Sequence, residues 1–302
     1  MDEKILLIGG NGFIGKNMIE FLYDKYQFYV VDIKFDDVFF ASYPRIQLLK
    51  ADTSTVQFPH SFLDSDYVIN LASIVTNERD LSLFDALIAS NVKTLLNLYQ
   101  QLQGSHKLKL LIQFGSSEEY GLNSSPYTEN LREYPVSPYA LVKQLTTNTA
   151  LMLAKNENFP ATVVRPGNLF GKYQKSSKFI PYIIESLKKG IDIDVTACEQ
   201  KRDFIYSKDF VKYIEKILQN HSAFIGEIVN VSSGYSVSLK EIIEFCRKET
   251  NSVSKINYGS LPYRKNEAMD LCCSVEKLEN LLNEKIKIDI WSGLREYISI
   301  KN

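Results

Sequence analysis

The first fifteen residues constrain the fold of this chain more than any other stretch. An apolar run from Ile5 to Ile8 is followed by Gly9, Gly12 and Gly15, and then by an amphipathic segment. This order predicts a buried strand, a glycine-rich turn and a helix. Gly9 is expected to permit the tight turn, Gly12 to let a pyrophosphate approach the backbone, and Gly15 to let the helix pack closely. The free N–H groups of the helix N-terminus would then face the phosphates.

An acidic residue after the second predicted strand indicates which dinucleotide is bound. Residues 28–31 form another apolar run, which ends at Asp32, 23 residues after Gly9. This separation is close to the roughly 20 residues at which a carboxylate meets the adenosine ribose. A carboxylate there repels a 2′-phosphate, so NAD(H) is favoured as cofactor. Lys34 lies two residues further on and weakens that exclusion, so NADP(H) stays possible.

The composition is typical of a globular protein with one large or two modest domains. The chain has 302 residues, of which 45% are hydrophobic and 24% charged, and its net charge is −1. The sequence has no long basic block and no apolar run of the roughly 18 residues that span a bilayer. Its N-terminal apolar run continues into the glycine turn and does not resemble a secretory signal. We therefore expect a cytoplasmic protein without a nucleic-acid or membrane partner.

The cysteine spacing does not favour a metal site or a disulfide. Cys198 and Cys246 are isolated, and adjacent Cys272 and Cys273 have a poor geometry for a mutual bridge. The chain has three histidines. We expect reduced, mostly buried thiols and no metal.

Apolar strands alternate with helices through the first half of the chain, which predicts an α/β fold with a parallel sheet covered on both faces. Beyond residue 165 the alternation loosens and residues 251–273 have no clear pattern. We predict a dinucleotide-binding domain at 1–165 and a smaller, interleaved lobe at 166–302, with about 203–232 returning to the first domain. The predicted strands are 4–8, 28–32, 46–50, 67–71, 109–114, 161–165, 203–206 and 228–231, and the main predicted helices are 13–25, 84–103, 137–157, 178–189, 239–248, 274–282 and 289–300.

A tyrosine and a lysine four residues apart point to proton transfer. On a helix, Tyr139 and Lys143 lie on one face, one turn apart. A tyrosine with a pKa near 10 exchanges protons poorly at neutral pH. A lysine ammonium nearby, together with a positively charged nicotinamide, is expected to favour the phenolate. Ser116 follows the predicted strand 109–114 and can hydrogen-bond the same substrate oxygen, so this trio suits proton transfer coupled to hydride transfer.

Taken together, these motifs resemble the extended short-chain dehydrogenases/reductases, in the branch of nucleotide-sugar epimerases, dehydratases and reductases. The resemblance covers essentially the whole chain, although the Leu-Gly-Trp-x-Pro segment frequent near the C-terminus of that branch is missing. It implies a Rossmann-type doubly wound sheet with a smaller substrate lobe, and a homodimer formed through the helices 84–103 and 137–157. The cofactor positions it implies are Gly9, Gly12, Phe13, Ile14, Gly15, Asp32, Asp52, Leu71, Ala72, Asn91, Tyr139, Lys143 and Pro166.

The same resemblance implies the catalytic and substrate positions. Ser116, Tyr139 and Lys143 fall on the catalytic positions, and Arg202, in an Arg-Asp-Phe motif, falls on the arginine that holds a nucleotide diphosphate. Arg264 falls near a second such arginine. The substrate positions are Ser117, Glu118, Asn168, Lys178, Arg202 and Arg264.

Three reactions share this machinery, and local sequence favours one of them. The acid pair of 4,6-dehydratases is broken here, because Ser117 precedes Glu118. The string from Gly115 to Gly121 resembles GDP-4-keto-6-deoxy-mannose reductases, and residues 178–184 and 201–205 resemble CDP-abequose synthase. We therefore expect a 4-ketoreductase of a nucleotide-linked 4-keto-6-deoxyhexose, in deoxysugar biosynthesis for surface glycans. A 4-epimerase with retained NAD is the alternative, and a dehydratase or a non-catalytic dinucleotide sensor is less favoured.

Overall fold

The computed structural model describes residues 3–76, 78–263 and 267–300. Its strands are β1 (Lys4–Ile8), β2 (Gln27–Asp32), β3 (Gln47–Lys50), β4 (Tyr67–Asn70), β5 (Leu110–Phe114), β6 (Ala161–Pro166), β7 (Asn168–Phe170), β8 (Ile193–Val195), β9 (Lys201–Arg202), β10 (Phe204–Tyr206), β11 (Ile228–Val231), β12 (Val237–Ser238), β13 (Ile256–Tyr258) and β14 (Asp270–Leu271).

The helices alternate with these strands through the first half of the chain. They are α1 (Phe13–Leu22), α2 (Asp37–Ala41), α3 (His60–Leu63), α4 (Phe84–Ile88), α5 (Thr94–Leu102), α6 (Pro138–Asn156), α7 (Phe179–Lys188), α8 (Ser207–Gln219), α9 (Leu239–Glu249), α10 (Glu276–Leu282) and α11 (Ile290–Ile300), with short 3₁₀ turns at Leu81–Leu83, Ser117–Tyr120 and His221–Ala223 and a π-helical turn at Ala89–Lys93.

A parallel sheet of seven strands, in the order β11-β6-β5-β4-β1-β2-β3, forms the centre of the described structure. Every neighbouring pair in it runs parallel. The strand order reverses between β1 and β4, and in such sheets ligands bind at the carboxyl ends of the strands where this reversal occurs. The prediction of a Rossmann-type doubly wound α/β fold is confirmed.

Side chains alternate between the two faces of the sheet, and each face has its own core. Leu7 packs with Met18 of α1 and Phe210 of α8 on one face. Its neighbour Leu6 packs with Leu98 of α5 on the other face, where α6 also lies. Adjacent strand residues point to opposite faces, so continuous apolar strands such as β1 are buried on both sides. Full burial of each such side chain contributes roughly 1.5–3 kcal/mol.

The C-terminal half builds a separate core between helices α7, α9 and α11, with Phe170, Ile183, Ile242, Leu294 and Tyr297 among its members. Around it lie three small sheets, in which β10 pairs with β7, β9 lies between β12 and β14, and β13 pairs with β8. The chain also passes back to the large sheet, because β11 pairs with β6 and α8 packs against α1. The domain boundary placed between residues 165 and 166 stays a prediction.

The predicted helix over 84–103 is wrong in its middle. A π-helical turn at Ala89–Lys93 separates α4 from α5. The side chain of Asn91, within the turn, donates a hydrogen bond to the Leu87 carbonyl, and that of Thr94, at the start of α5, donates to the Ala89 carbonyl. Such side-chain bonds compete with the regular backbone pattern, and π-turns are frequent at functional sites.

The segment 251–273, predicted to be irregular, contains two short strands. β13 pairs with β8 and β14 with β9, so distant partners rather than local pattern create them. The short helices α2 and α3 were also not predicted, although Asp36 caps α2 by accepting a hydrogen bond from the Phe39 N–H.

None of the helices in the described part of the chain is long and apolar enough to cross a membrane. The four cysteines are free, and three of them are buried. Within residues 3–76, 78–263 and 267–300, no group of three or more histidine, cysteine, aspartate or glutamate side chains is placed to hold a metal ion.

Candidate active site

The three glycines of the first loop meet different demands. Gly9 has a φ of +75°, and a Cβ there would lie 2.9 Å from the backbone nitrogen of Ala72. A Cβ on Gly15 would overlap the backbone of Gly10. On Gly12 it would meet the Gly9 carbonyl oxygen at 3.3 Å and, among the described residues, nothing else within 4 Å. The protein's own packing therefore requires Gly9 and Gly15, whereas the space above Gly12 is open and fits a pyrophosphate.

Helix α1 begins beside that space. Gly12 is its N-cap, in extended conformation and without a side-chain cap, so Phe13 and Ile14 open the first turn. The first N–H groups of a helix lack partners within the helix. Together with the positive end of the helix dipole they suit a phosphate.

Asp32 lies at the end of β2, next to this loop. Its carboxylate accepts a hydrogen bond from the Asn11 N–H at 3.0 Å and a longer one from the Lys34 N–H at 3.4 Å. These contacts hold the carboxylate at the side of the loop where the resemblance places the adenosine ribose. Asp52, by contrast, accepts from the N–H and the hydroxyl of Ser54, which closes a local turn and lowers the pKa of the Asp52 carboxyl group. A contact of Asp52 with adenine stays a prediction.

The loop after β4 forms the other side of the crevice. The Leu71 N–H bonds to the Ile8 carbonyl at 2.9 Å, and the Ala72 N–H bonds to the side chain of Asn70 at 3.2 Å. Two buried oxygens near this end of the sheet, Ser73 Oγ and Asn91 Oδ1, have no partner among the described residues. Unpartnered buried polar atoms are those that a bound molecule or water satisfies. With the open glycine loop, they fit a dinucleotide.

The N-terminal turn of α6 carries the predicted tyrosine and lysine. The Ser137 side chain caps the helix by accepting a hydrogen bond from the Ala140 N–H, and Pro138 occupies the first helical turn. Tyr139 and Lys143 follow, one turn apart, and both are buried. Lys143 Nζ donates to the Phe114 carbonyl at 2.9 Å and lies 5.8 Å from the centre of the Tyr139 ring.

The loop after β5 brings Ser116 to the same place. Ser116 caps the 3₁₀ turn at Ser117–Tyr120, and its hydroxyl accepts a hydrogen bond from the Glu118 N–H at 3.2 Å. The Ser116 side chain is close enough to Tyr139 to oppose the rise in the pKa of the tyrosine. The structure thus brings the three predicted catalytic residues together at the carboxyl end of β5.

Burial is the largest influence on the pKa values of Tyr139 and Lys143. It raises the pKa of Tyr139, with a further rise from the charges of Glu118 and Glu119 and a small opposing effect of Ser116. Burial also lowers the pKa of Lys143 to about 8, which the negative charge of Glu119 opposes. Desolvation sets the direction of both pKa values among the protein's own side chains, and the expectation that Lys143 and a positively charged nicotinamide together favour the phenolate stays a prediction.

Ser117 and Glu118, two of the predicted substrate residues, directly follow Ser116 in the 3₁₀ turn. Ser117 is half-buried and Glu118 is accessible from the cleft. The protein that surrounds Glu118 raises the pKa of its carboxyl group, while the charges of Lys178 and Arg79 lower it. Lys178 is the N-cap of α7. Lys178 and Arg79 are therefore close enough to Glu118 for their charges to act on its carboxyl group.

Pro166 and Asn168 flank the point where the chain leaves the large sheet. Pro166 ends β6 and pairs with Val231 of β11. The Asn168 N–H bonds to the Asp203 carbonyl at 2.9 Å, which joins β7 to the Arg-Asp-Phe motif. Both residues are half-buried. Their contacts with cofactor and substrate stay predictions.

Arg202 is held by internal partners. Its guanidinium donates to the carbonyls of Lys201 at 2.7 Å and Ala268 at 2.8 Å, and it forms an ion pair with Glu267. A guanidinium has five N–H donors, so these contacts leave capacity for a phosphate. Arg264 lies outside the described residues, and the prediction for it is not addressed by the structure.

Comparison with known proteins assigns this arrangement to a family. The model of the NAD dependent epimerase/dehydratase family matches residues 5–232, about three quarters of the chain. The chain belongs to this family. It is therefore an enzyme of a family that acts on nucleotide sugars, and the family confirms NAD(H) as the expected cofactor.

Two relatives of this epimerase/dehydratase and one solved structure illustrate the range of the family. CDP-abequose synthase of Salmonella muenchen is 38% identical over 138 residues, which are 46% of this chain and 47% of that protein, so the match spans about half of each. GDP-6-deoxy-D-talose 4-dehydrogenase of Aggregatibacter actinomycetemcomitans is 25% identical over 92% of this chain and 91% of its own length. The fold is similar to UDP-glucuronic acid 4-epimerase from Bacillus cereus in complex with UDP-glucuronic acid and NAD, with a TM-score of 0.87, 22% identity and coverage of 99% and 100%.

The sequence analysis missed one buried ionic cluster beside the catalytic trio. Glu119 and Arg165 are both fully buried and form an ion pair, in which the Arg165 Nη2 lies 2.6 Å from a Glu119 carboxylate oxygen. Arg165 forms a second ion pair with Glu133 at 2.7 Å. The signal available in the sequence was the Ser-x-x-Glu spacing of Ser116 and Glu119, which is typical of a capping box.

Proposed function

We propose that this epimerase/dehydratase family member is a 4-ketoreductase, which reduces the C4 ketone of a nucleotide-linked 4-keto-6-deoxyhexose with NAD(H). The observation that carries the proposal is the similarity to CDP-abequose synthase, combined with the meeting of Ser116, Tyr139 and Lys143 at the carboxyl end of β5. A reduction needs a proton donor at the substrate oxygen, and a tyrosine with a raised pKa keeps its proton at neutral pH. The names of the two relatives support the proposal, since one is a 4-dehydrogenase of a 6-deoxy sugar nucleotide.

Tyr139, Ser116 and Lys143 have different roles in the proposed reduction. NAD(H), when bound along the glycine loop, supplies the hydride for C4. As the C4 oxygen gains negative charge, Tyr139 gives it the hydroxyl proton and Ser116 hydrogen-bonds it. Lys143, held by the Phe114 carbonyl, keeps a positive charge next to the tyrosine.

The substrate diphosphate is assigned to Arg202, with Arg264 as a second predicted contact. Arg202 lies in the short sheet of β9, β12 and β14, outside the large sheet. Planar guanidinium groups bind phosphate oxygens in a bidentate manner. The sugar then lies between Ser117 and Glu118 on one side and Asn168 and Lys178 on the other.

We also propose that the protein is a homodimer that pairs through α5 and α6. Leu96 on α5 and Leu141, Leu145 and Met152 on α6 are large apolar side chains that are each more than a third exposed. Leu141, Leu145 and Met152 are spaced so that they lie on one face of α6. Light scattering of the purified protein should give twice the mass of the chain, and a monomer mass at micromolar concentration would contradict this.

Substrate assays test the proposed reaction directly. Purified protein is incubated with NADH or NADPH and with the CDP-, dTDP-, GDP- and UDP-linked 4-keto-6-deoxyhexoses, and the absorbance of the reduced nicotinamide is followed. We expect consumption of NADH with at least one of these substrates. If none is reduced, the proposal fails. Tightly bound NAD that co-purifies, with interconversion of C4 epimers and no net consumption of NADH, would instead identify a 4-epimerase.

A further inference from the structure

Three distant segments meet at one buried carboxylate, that of Glu119. One of its oxygens accepts a hydrogen bond from the backbone N–H of Ser116 at 2.7 Å. The other accepts from the Thr147 hydroxyl at 2.9 Å and from Arg165 at 3.0 and 2.6 Å. Glu119 itself has no solvent exposure. A fully buried carboxylate is stable only with such a set of donors.

The partners of Glu119 belong to the elements that carry the reaction. Ser116 follows β5, Thr147 lies on α6 one turn beyond Lys143, and Arg165 lies near the end of β6. The Glu119 carboxylate therefore joins the serine loop to the helix that carries Tyr139 and Lys143. The Ser116 backbone cannot shift along α6 without breaking one of these bonds.

The charge of Glu119 also acts on the catalytic pair. Lys143 Nζ lies 5.8 Å from the centre of the Tyr139 ring, the charges of Glu118 and Glu119 both raise the pKa of Tyr139, and the charge of Glu119 raises that of Lys143. Arg165 and Glu133 lie behind Glu119 and do not contact either catalytic side chain in the described structure. A negative charge in this position favours protonated lysine and protonated tyrosine.

We propose that Glu119 is a positioning residue, which holds Ser116 beside Tyr139 and supplies the negative charge behind Tyr139 and Lys143. Burial raises the pKa of the Glu119 carboxyl group, whereas the ion pair with Arg165 and the hydrogen bonds from Ser116 and Thr147 oppose that rise and favour the carboxylate. Thr147 fixes the carboxylate to α6. The expected effect on kcat rests on the proposed reductase function. The contacts of Glu119 and its expected effect on cofactor binding do not depend on that function.

The variant Glu119→Gln tests the role, because it keeps the shape of the side chain and removes the charge. We expect kcat to fall about tenfold to a hundredfold through misalignment of Ser116. The alkaline limb of the pH profile should move to lower pH by about one unit, since loss of the negative charge lowers the pKa of both Tyr139 and Lys143. Glu133→Gln is the matched control, because it removes the other ion pair of Arg165 without contacting Ser116 or α6.

A purely structural role predicts a different result. In that case Glu119→Gln and Glu133→Gln would both lower the melting temperature and leave the pH profile at its wild-type position, which would overturn the proposal. If Glu119→Gln does not fold, Thr147→Val decides the positioning role. It removes one hydrogen bond and no charge, so kcat should fall several-fold with an unchanged pH profile, whereas a wild-type kcat would overturn the proposal.

A measurement of NADH affinity needs no sugar substrate, so it tests the role of Glu119 independently of the proposed function. The pH dependence of NADH affinity is measured by the fluorescence of the bound cofactor, because Lys143 belongs to the predicted cofactor site. Failure of the wild-type protein to reduce any 4-keto sugar overturns the reductase proposal alone. An alkaline loss of NADH affinity that is the same in Glu119→Gln and in wild type overturns the role of Glu119.

Discussion

The glycine loop and the catalytic corner lie at the same end of the sheet, but they are built on different physical principles. The glycine loop, residues 9–15, is shaped by backbone geometry and open space. The catalytic corner, formed by Ser116, Glu119, Tyr139, Lys143 and Arg165, depends on buried charges and hydrogen bonds. Its central ion pair joins residues 46 positions apart in the chain. Substitutions in the glycine loop should therefore act through the volume of the new side chain. Substitutions in the catalytic corner should act through charge and through the position of protons.

The largest effect should come from Tyr139→Phe in the corner. This change removes the proton donor and preserves the ring, so we expect kcat to fall by about 10²- to 10⁴-fold while NADH still binds. Steady-state kinetics and NADH fluorescence measure the two quantities. Tyr99→Phe is the control, because its hydroxyl donates a hydrogen bond to exposed Glu157, which caps the end of α6 opposite to Tyr139. Unchanged turnover in Tyr139→Phe would refute the assignment of the proton donor.

Two alanine substitutions should separate folding from binding within the loop. In Gly15→Ala the new methyl group overlaps the Gly10 backbone, so we expect a loss of about 1–3 kcal/mol in the free energy of unfolding. In Gly12→Ala the methyl group enters the open space, so the melting temperature should change little while NADH affinity falls about tenfold or more. Equal losses of stability in both variants would show that Gly12 serves packing and not a ligand.

The smallest effect should come from Asp32→Ala at the rim of the loop. Removal of this carboxylate removes its repulsion of a 2′-phosphate, so the ratio of NADPH to NADH efficiency should rise about fivefold. Asp37→Ala, an exposed acid in the first turn of α2, is the matched control. A ratio that is the same in Asp32→Ala and in wild type would show that Asp32 does not contact the ribose.

The elements that were predicted correctly are those with strong local patterns. β1, β5 and α6 lie within one residue of their predicted bounds, since continuous apolar strands and a capped, proline-started helix are visible in the sequence. The π-helical turn at Ala89–Lys93 and the short strands β13 and β14 were missed. The former depends on side-chain hydrogen bonds within the helix, and the latter depend on strands more than 60 residues away.

The sequence alone predicted the dinucleotide loop and the proton-transfer residues of this protein. The spacing of the three glycines, Asp32 and the Tyr139–Lys143 pair follows local rules of turns and helices, and these rules do not require the rest of the fold. Only the tertiary structure decided how those groups are tuned. Burial raises the pKa of Tyr139 and lowers that of Lys143, and the Glu119–Arg165 pair lies behind them, because a proton affinity depends on solvent exclusion and on charges brought together from distant segments.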